Sequence, residues 1–119
     1  MLNIDLHCHS NISDGTLTPT QLVERAATRG VNMLALTDHD DLGGLDEARR
    51  VANDKNIIFI NGVEISVTWR NRTLHIIGLD VDPKYLPLKQ GLAAIRNGRV
   101  TRGNKIAAQL DKVGIQGSL

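Results

Sequence analysis

At 119 residues and 13.0 kDa the chain is one small domain at most. Fourteen Lys and Arg against thirteen Asp and Glu leave a formal net charge of +1, which argues against a nucleic-acid coat or a polybasic membrane binder. The hydrophobic share of 41% is too high for intrinsic disorder, and the three aromatics, Phe59, Trp69 and Tyr85, are too few for a base-stacking surface. A single cysteine excludes an intrachain disulfide framework and fits a reducing, cytoplasmic setting. No apolar run approaches the roughly 20 residues of a membrane span, and the charged, patterned start shows no sign of a secretory signal.

Leu2 to His9 alternates as a short strand, with Leu2, Ile4 and Leu6 on one face and Asp5, His7 and His9 on the other. A polar turn, Ser10 to Leu17, leads to Thr18-Pro19, a helix opening with Thr as N-cap and Pro at the first helical position. Leu22, Val23, Ala26 and Ala27 form an apolar stripe, and Gly30 stops the helix. Val31 to Leu36 reads as a strand covered on both faces, ending in Thr37-Asp38-His39-Asp40. After Gly43-Gly44, which lacks the context of a phosphate loop, a second helix is predicted over Leu45 to Asn53. Leu45, Ala48, Val51 and Ala52 face inward on it, and Asp46, Glu47, Arg49 and Arg50 form a solvated face.

Ile57 to Ile60 is the next buried strand. Val63 to Trp69 and Thr73 to Leu79 read as two further strands joined in a hairpin at Arg70-Asn71-Arg72. Asp80 and Asp82 belong to a strand-end turn. Pro83 to Pro87 is a connector, and Leu88 to Val113 has helical spacing weakened by Gly91, Gly98 and Gly103, with Gly114 as its cap. The order of elements predicts an α/β layered fold with parallel strands. A closed eight-fold barrel takes roughly 250 residues, so the chain reads as a first half.

Chemistry-bearing residues gather where each strand ends, which is where ligands bind in sheets of this kind. His7 and His9, two apart on a strand, project their imidazoles to one side and can chelate one cation, while Cys8 points away and packs behind them. Taken alone, such a pair is as well explained by two hydrogen-bonded, partly buried histidines. Asp14, His39, Glu64 and His75 shift the balance to metal: six nitrogen and carboxylate donors suit manganese, iron or zinc rather than structural zinc on thiolates. Glu64 is of a type that can bridge two cations.

Four motifs, His7-Cys8-His9-Ser10 with Ser13-Asp14-Gly15, Thr37-Asp38-His39-Asp40, Gly62-Val63-Glu64-Ile65-Ser66 and His75-Ile76-Ile77-Gly78-Leu79, occur in the order and spacing of the PHP (polymerase and histidinol phosphatase) superfamily, which the chain resembles over essentially its whole length. Within it, Ser13 to Pro19, Gly62 to Ser66 and the Arg-rich segment after Leu92 look most like the branch of bacterial nucleoside 3′,5′-bisphosphate phosphatases and 5′→3′ exoribonucleases. The resemblance implies a distorted (β/α)7 barrel, incomplete here, with residues 1–82 as the N-terminal portion of the metal-binding barrel. Residues 83–119 would be a connector and helix leading into an insertion or the remaining half. It implies up to three divalent cations, Mn²⁺ first, with Zn²⁺, Fe²⁺ or Mg²⁺ as alternatives. His7 and His9 would hold one, Glu64 would bridge it to a second that His75 also binds, and Asp14 and His39 would hold the third. Many relatives carry a histidine at the Asp14 position, and the family draws further ligands from a C-terminal half whose motifs this sequence lacks.

Activated water attacking phosphorus then suffices, with no Ser or Cys nucleophile. Asp38 is placed to orient an imidazole from behind, and Asp40 either contacts substrate or caps its turn. Arg99 and Arg102, three apart on a helix, put two guanidinium groups on one face suited to phosphate. In the branch resembled, an Arg-x-x-Arg pair here contacts substrate, whereas without that alignment the pair reads as a solvated face continued by Arg96 and Lys105. Trp69 at the hairpin tip reads as packing or lid surface. The expected function is a metal-dependent phosphoesterase acting on nucleoside 3′,5′-bisphosphates or the 5′ ends of short oligoribonucleotides, with no membrane and no obligate protein partner. The alternatives are another phosphatase of the superfamily, on a metabolite such as histidinol phosphate, or a metal-binding module without turnover.

Overall fold

The computed structural model describes residues Met1–Leu119. Seven elements follow one another: β1 (Ile4–Cys8), α1 (Pro19–Thr28), β2 (Met33–Leu36), α2 (Leu45–Asp54), β3 (Ile58–Trp69), β4 (Arg72–Leu79) and α3 (Leu86–Lys112). The strands form one sheet in the order β1-β2-β3-β4. β1, β2 and the start of β3 run parallel, and β3 and β4 pair antiparallel. No helix is long and apolar enough to cross a membrane.

α1 begins as its opening dictates. The Thr18 side chain accepts from the Gln21 amide, the Gln21 side chain accepts from the Thr18 amide, and Pro19 needs no amide partner. α1 and α2 cover one face of the sheet, and the core lies beneath them: Val23 and Ala26 from α1, Leu34 and Leu36 from β2, Leu45, Ala48 and Ala52 from α2, and Ile57. On α2 only Asp46 and Arg50 of the four charges are solvated. Glu47 accepts from the Thr20 amide and hydroxyl, tying α2 to α1, and Arg49 donates to Asn61 and lies over the Phe59 ring.

Two departures from the alternating pattern matter for the site. Asp5 pairs with Leu34 and Cys8 with Leu36, so β1 carries one extra residue between them. Asp5 therefore shares the helix-covered face with Leu34 and Cys8 instead of sharing a face with His7 and His9. Leu2 and Ile4 are exposed rather than buried, and Ile4 shares the uncovered face with Ile58, its neighbour across Met33.

The second departure is that Ile58–Trp69 is one strand of 12 residues rather than two. It pairs with β2 through Asn61 and with β4 from Gly62 onward. Gly62 marks the changeover because a Cβ there would lie 2.7 Å from Thr37 Cγ2 and 2.8 Å from the Leu36 carbonyl oxygen. The hairpin closes through Arg70 and Asn71, both at positive φ (47° and 61°), the backbone of a two-residue turn.

α3 runs 27 residues straight through its three glycines, starting two residues earlier than the spacing predicted because Pro87 sits in its first turn. Each interior glycine costs roughly 1 kcal/mol relative to alanine. Leu92 is the one buried residue of α3, so apolar packing alone does little to hold this helix.

The loop between β1 and α1 folds back on itself, with the Gly15 amide donating to the Ser10 carbonyl at 2.8 Å and the Asn11 amide to Leu17. A Cβ on Gly15 would overlap the His9 carbonyl oxygen and crowd its carbon at 2.7 Å. Gly15→Ala is therefore expected to destabilise the fold by about 1–3 kcal/mol by displacing the His9 backbone, read as a lower urea midpoint at unchanged slope.

Candidate metal centre

The loop after β2 fixes the middle of β3. The Glu64 amide donates to the Asp38 carbonyl at 3.1 Å and the Asp40 amide to the Glu64 carbonyl at 2.9 Å, which makes His39 and Glu64 neighbours across a parallel bridge. Glu64 is thus held by backbone bonds on one side and by β4 on the other, with its carboxylate almost wholly buried.

Four imidazoles surround that carboxylate. His7 Nε2 and His9 Nε2 each lie 2.9 Å from Glu64 Oε2, with His39 Nε2 at 3.6 Å from the same oxygen, and His75 Nδ1 lies 3.1 Å from Oε1. Asp14, more exposed, reaches His9 Nδ1 at 3.5 Å and His39 Nε2 at 3.4 Å. All six predicted donors come together in this way. They form three overlapping groups with ligand atoms close enough to share a cation: His7, His9 and Glu64; His9, Asp14 and His39; His39, Glu64 and His75. The second and third are larger than the pairs expected, because His9 and His39 each stand between two groups.

Burial on its own raises the pKa of Glu64, but the His7 hydrogen bond, the charge of His39 and the His75 hydrogen bond outweigh it and hold the carboxyl below the ordinary glutamate range. The donor chemistry fits divalent metal on a second count. His9 Nδ1 and His39 Nδ1 are buried with no hydrogen-bond partner. Buried polar nitrogens left without a partner are rare and costly, and a borderline-hard cation is a natural partner for imidazole nitrogens set among carboxylates.

Asp38 bonds no imidazole. Its carboxylate accepts from the Ser10 amide and hydroxyl at 2.7 and 2.6 Å and from the Ser13 hydroxyl at 2.7 Å. It fixes the loop that carries His9 and Asp14 rather than a ring directly. The two serines were not singled out from the sequence, although both sit inside the motifs quoted there. Asp40 is fully buried: Oδ1 accepts from the Ser66 amide and Oδ2 from Arg99 Nη1, each at 2.7 Å. Arg96 is not a free extension of a solvated face, since it donates to the Asp40 carbonyl and lies 3.7 Å from Asp41.

A cavity of about 710 Å³ opens beside His39 and His75 and is lined by Ser66, Thr68, Thr73, Arg99 and Arg102. A smaller one, of about 340 Å³, lies on the Asp14 side of His39 and includes Arg96 and Arg99. Trp69 is half exposed with Arg70 stacked 4.3 Å from its ring centre. By register it faces away from the Ser66–His75 side of the hairpin.

The PHP domain family matches residues 5–108. The chain belongs to the PHP family. It is 52% identical over 117 residues to a 3′,5′-nucleoside bisphosphate phosphatase of Chromobacterium violaceum, a match covering 98% of this chain and 41% of that protein. It is 49% identical over 114 residues to a 5′-3′ exoribonuclease of Haemophilus influenzae, covering 93% and 40%. A solved structure from Bifidobacterium adolescentis, named for metal-dependent phosphoesterase activity, superposes with a TM-score of 0.85 at 31% identity over 93% of this chain and 39% of that one. The chain spans about two fifths of the length of these relatives, and the fold is part of a PHP barrel.

Cys8 lies behind the site, packed against the core, with its thiol donating to the Ala35 carbonyl at 3.2 Å. Burial, with the Asp5 and Asp38 charges adding to it, pushes its pKa up to about 12. Because the raised pKa favours the thiol, the thiolate is scarce at pH 8. Iodoacetamide is expected to label native Cys8 at least tenfold more slowly than the urea-unfolded chain, as followed by mass spectrometry.

Proposed function

We propose that this chain forms the metal-bearing part of a phosphoesterase that removes a phosphate from nucleoside 3′,5′-bisphosphates and from the 5′ ends of short RNA. The observation that carries the reading is the buried Glu64 carboxylate ringed by four imidazoles, two of which, His39 and His75, border a cavity that Arg99 and Arg102 also line. The names of the phosphatase and exoribonuclease relatives support the substrate class.

His7, His9 and Glu64 would hold one cation, Glu64 and His75 a second, and Asp14 with His39 a third. Manganese is favoured by a donor set of imidazoles and carboxylates with no thiolate, since Cys8 faces the core. When bound, the cations supply Lewis acidity, which lowers the pKa of water and neutralises phosphate oxygens as charge moves to the leaving oxygen. The chain's own residues do the rest. Glu64, held ionised, keeps four rings in one orientation. Arg99 and Arg102 offer planar paired donors to a phosphate, and the Ser66, Thr68 and Thr73 hydroxyls line the same cavity. The free cysteine agrees with a cytoplasmic location.

Saturation with Mn²⁺ at a hundredfold excess over Kd is expected to stabilise the chain by about 2.7 kcal/mol, visible as a rise in Tm that EDTA reverses and that Glu64→Gln abolishes. With Mn²⁺ present, phosphate release from adenosine 3′,5′-bisphosphate should exceed that from histidinol phosphate, and Arg102→Ala should reduce only the former, by about tenfold or more. A metal-dependent Tm with no release from either compound, even when the chain is joined to a segment supplying the remaining length of its relatives, would replace the phosphoesterase reading with a metal-binding module. No shift in Tm would remove the metal centre.

A further inference from the structure

We infer that Asp40 is a positioning residue: its buried carboxylate clamps α3 to the hairpin through Arg99 and thereby sets the guanidinium edge that faces the cavity. This rests on the phosphate-binding role proposed for Arg99. Asp40 is fully buried and so cannot itself present an oxygen to a substrate. Its backbone is left-handed, with φ at 53°, a conformation that costs a non-glycine residue energy and persists only where surroundings enforce it. Four bonds enforce it. The Asp40 amide donates to Glu64, the Asp40 carbonyl accepts from Arg96 at 2.6 Å, and the two carboxylate oxygens accept from the Ser66 amide and from Arg99.

The clamp matters because α3 has so little else. With Leu92 its one buried residue, the helix leans on polar contacts, and Asp40 takes one from each of two successive turns, at Arg96 and Arg99. Arg99 also borders both cavities beside His39. A guanidinium has five donors in a fixed plane, so fastening Nη1 to Asp40 leaves the remaining edge in one direction. Side-chain freedom that an arginine otherwise loses on meeting an anion is removed beforehand. Since Asp40 directly follows His39, the same four-residue turn places a donor imidazole and aims the arginine.

Asp40→Asn separates this role from bulk structure. The amide keeps the volume and one acceptor, but in either orientation one of its two neighbours, the Ser66 amide or Arg99, now faces a donor. The test titrates adenosine 3′,5′-bisphosphate into the Mn²⁺-loaded full chain as wild type, Asp40→Asn, Arg99→Ala and the double variant, and follows trypsin cleavage after Arg102 and Lys105 in each. Asp40→Asn is expected to weaken binding about tenfold in the wild-type background and not at all in the Arg99→Ala background. Cleavage of α3 should accelerate while Mn²⁺ affinity stays within about threefold. Additive losses in the double variant, or unchanged cleavage of α3, would overturn the clamp. If the wild type binds no bisphosphate, the proposed function fails instead, and the cleavage rates still decide whether Asp40 holds the helix. Should Asp40→Asn not fold, Arg99→Gln breaks the same contact from the solvent side and is expected to release α3 equally.

Discussion

A carboxylate removed from water must be compensated, and here the compensation organises the site. Glu64 sits where β3 leaves β2 and begins to pair with β4, so its backbone is bonded to the Asp38–Asp40 turn and its position is fixed before any side chain is considered. Its two oxygens are then shared among imidazoles arriving from β1, from the β1–α1 loop region, from the β2 end and from β4. Neutral imidazoles satisfy a carboxylate only in part, and ionised ones repel each other at ring separations of 4.6 to 5.1 Å. Cations held among the rings, as proposed, would resolve both difficulties at once by drawing on the imidazole lone pairs and on the carboxylate together.

Around this carboxylate lie two others that do structural work. Asp38 gathers Ser10 and Ser13, which shapes the loop bearing His9 and Asp14. Asp40 gathers Ser66, Arg96 and Arg99, which shapes the approach from α3. Residues 38 and 40 flank His39, so a single turn after β2 contributes one donor to the centre and one brace to each side of it. The acidic residues of Thr37-Asp38-His39-Asp40 therefore act through backbone amides, hydroxyls and guanidinium groups, and only the histidine faces the cluster.

What the sequence made legible follows from locality. The capping of α1 by Thr18 and Pro19, the inward stripe of α2 and the side of β1 that His7 and His9 share depend on neighbours a few residues away, and the pattern of residue types records them. That His7, His9, Asp14, His39, Glu64 and His75 come together was legible for another reason: they stand at successive strand ends, and the order of the motifs matched a known family. The rest required partners far along the chain. Nothing near Asp5 announces the extra residue that turns it toward Leu34. Gly62 reads as a break between strands, whereas it is the point where a continuous strand needs room beside Thr37. The charges of Glu47 and Arg49 look solvated until Thr20 and Asn61 are brought to them, and Asp40 looks like a turn residue until α3, 56 residues on, reaches its carbonyl.

The balance of burial explains why such polar anchors carry so much of the architecture. Eleven hydrophobic residues are buried, and with them five polar ones: Ser10, Thr37, Asp38, Asp40 and Glu64. All five belong to the strand-end motifs, and each has its hydrogen-bonding groups engaged by protein. The apolar core lies on the helix side of the sheet, at Val23, Leu34, Leu45 and their neighbours, so it orders β1 to β3 without reaching the hairpin or α3. The hairpin continues from the core through β3 itself, and the Asp38–Asp40 turn adds the bonds that brace it and hold α3 to it. Hydrophobic burial is non-directional and tolerates small shifts, while charged hydrogen bonds at 2.6 to 2.7 Å specify distance and direction. The cluster of four rings and two carboxylates is accordingly built on the directional part of the fold, with the greasy part kept one layer behind it.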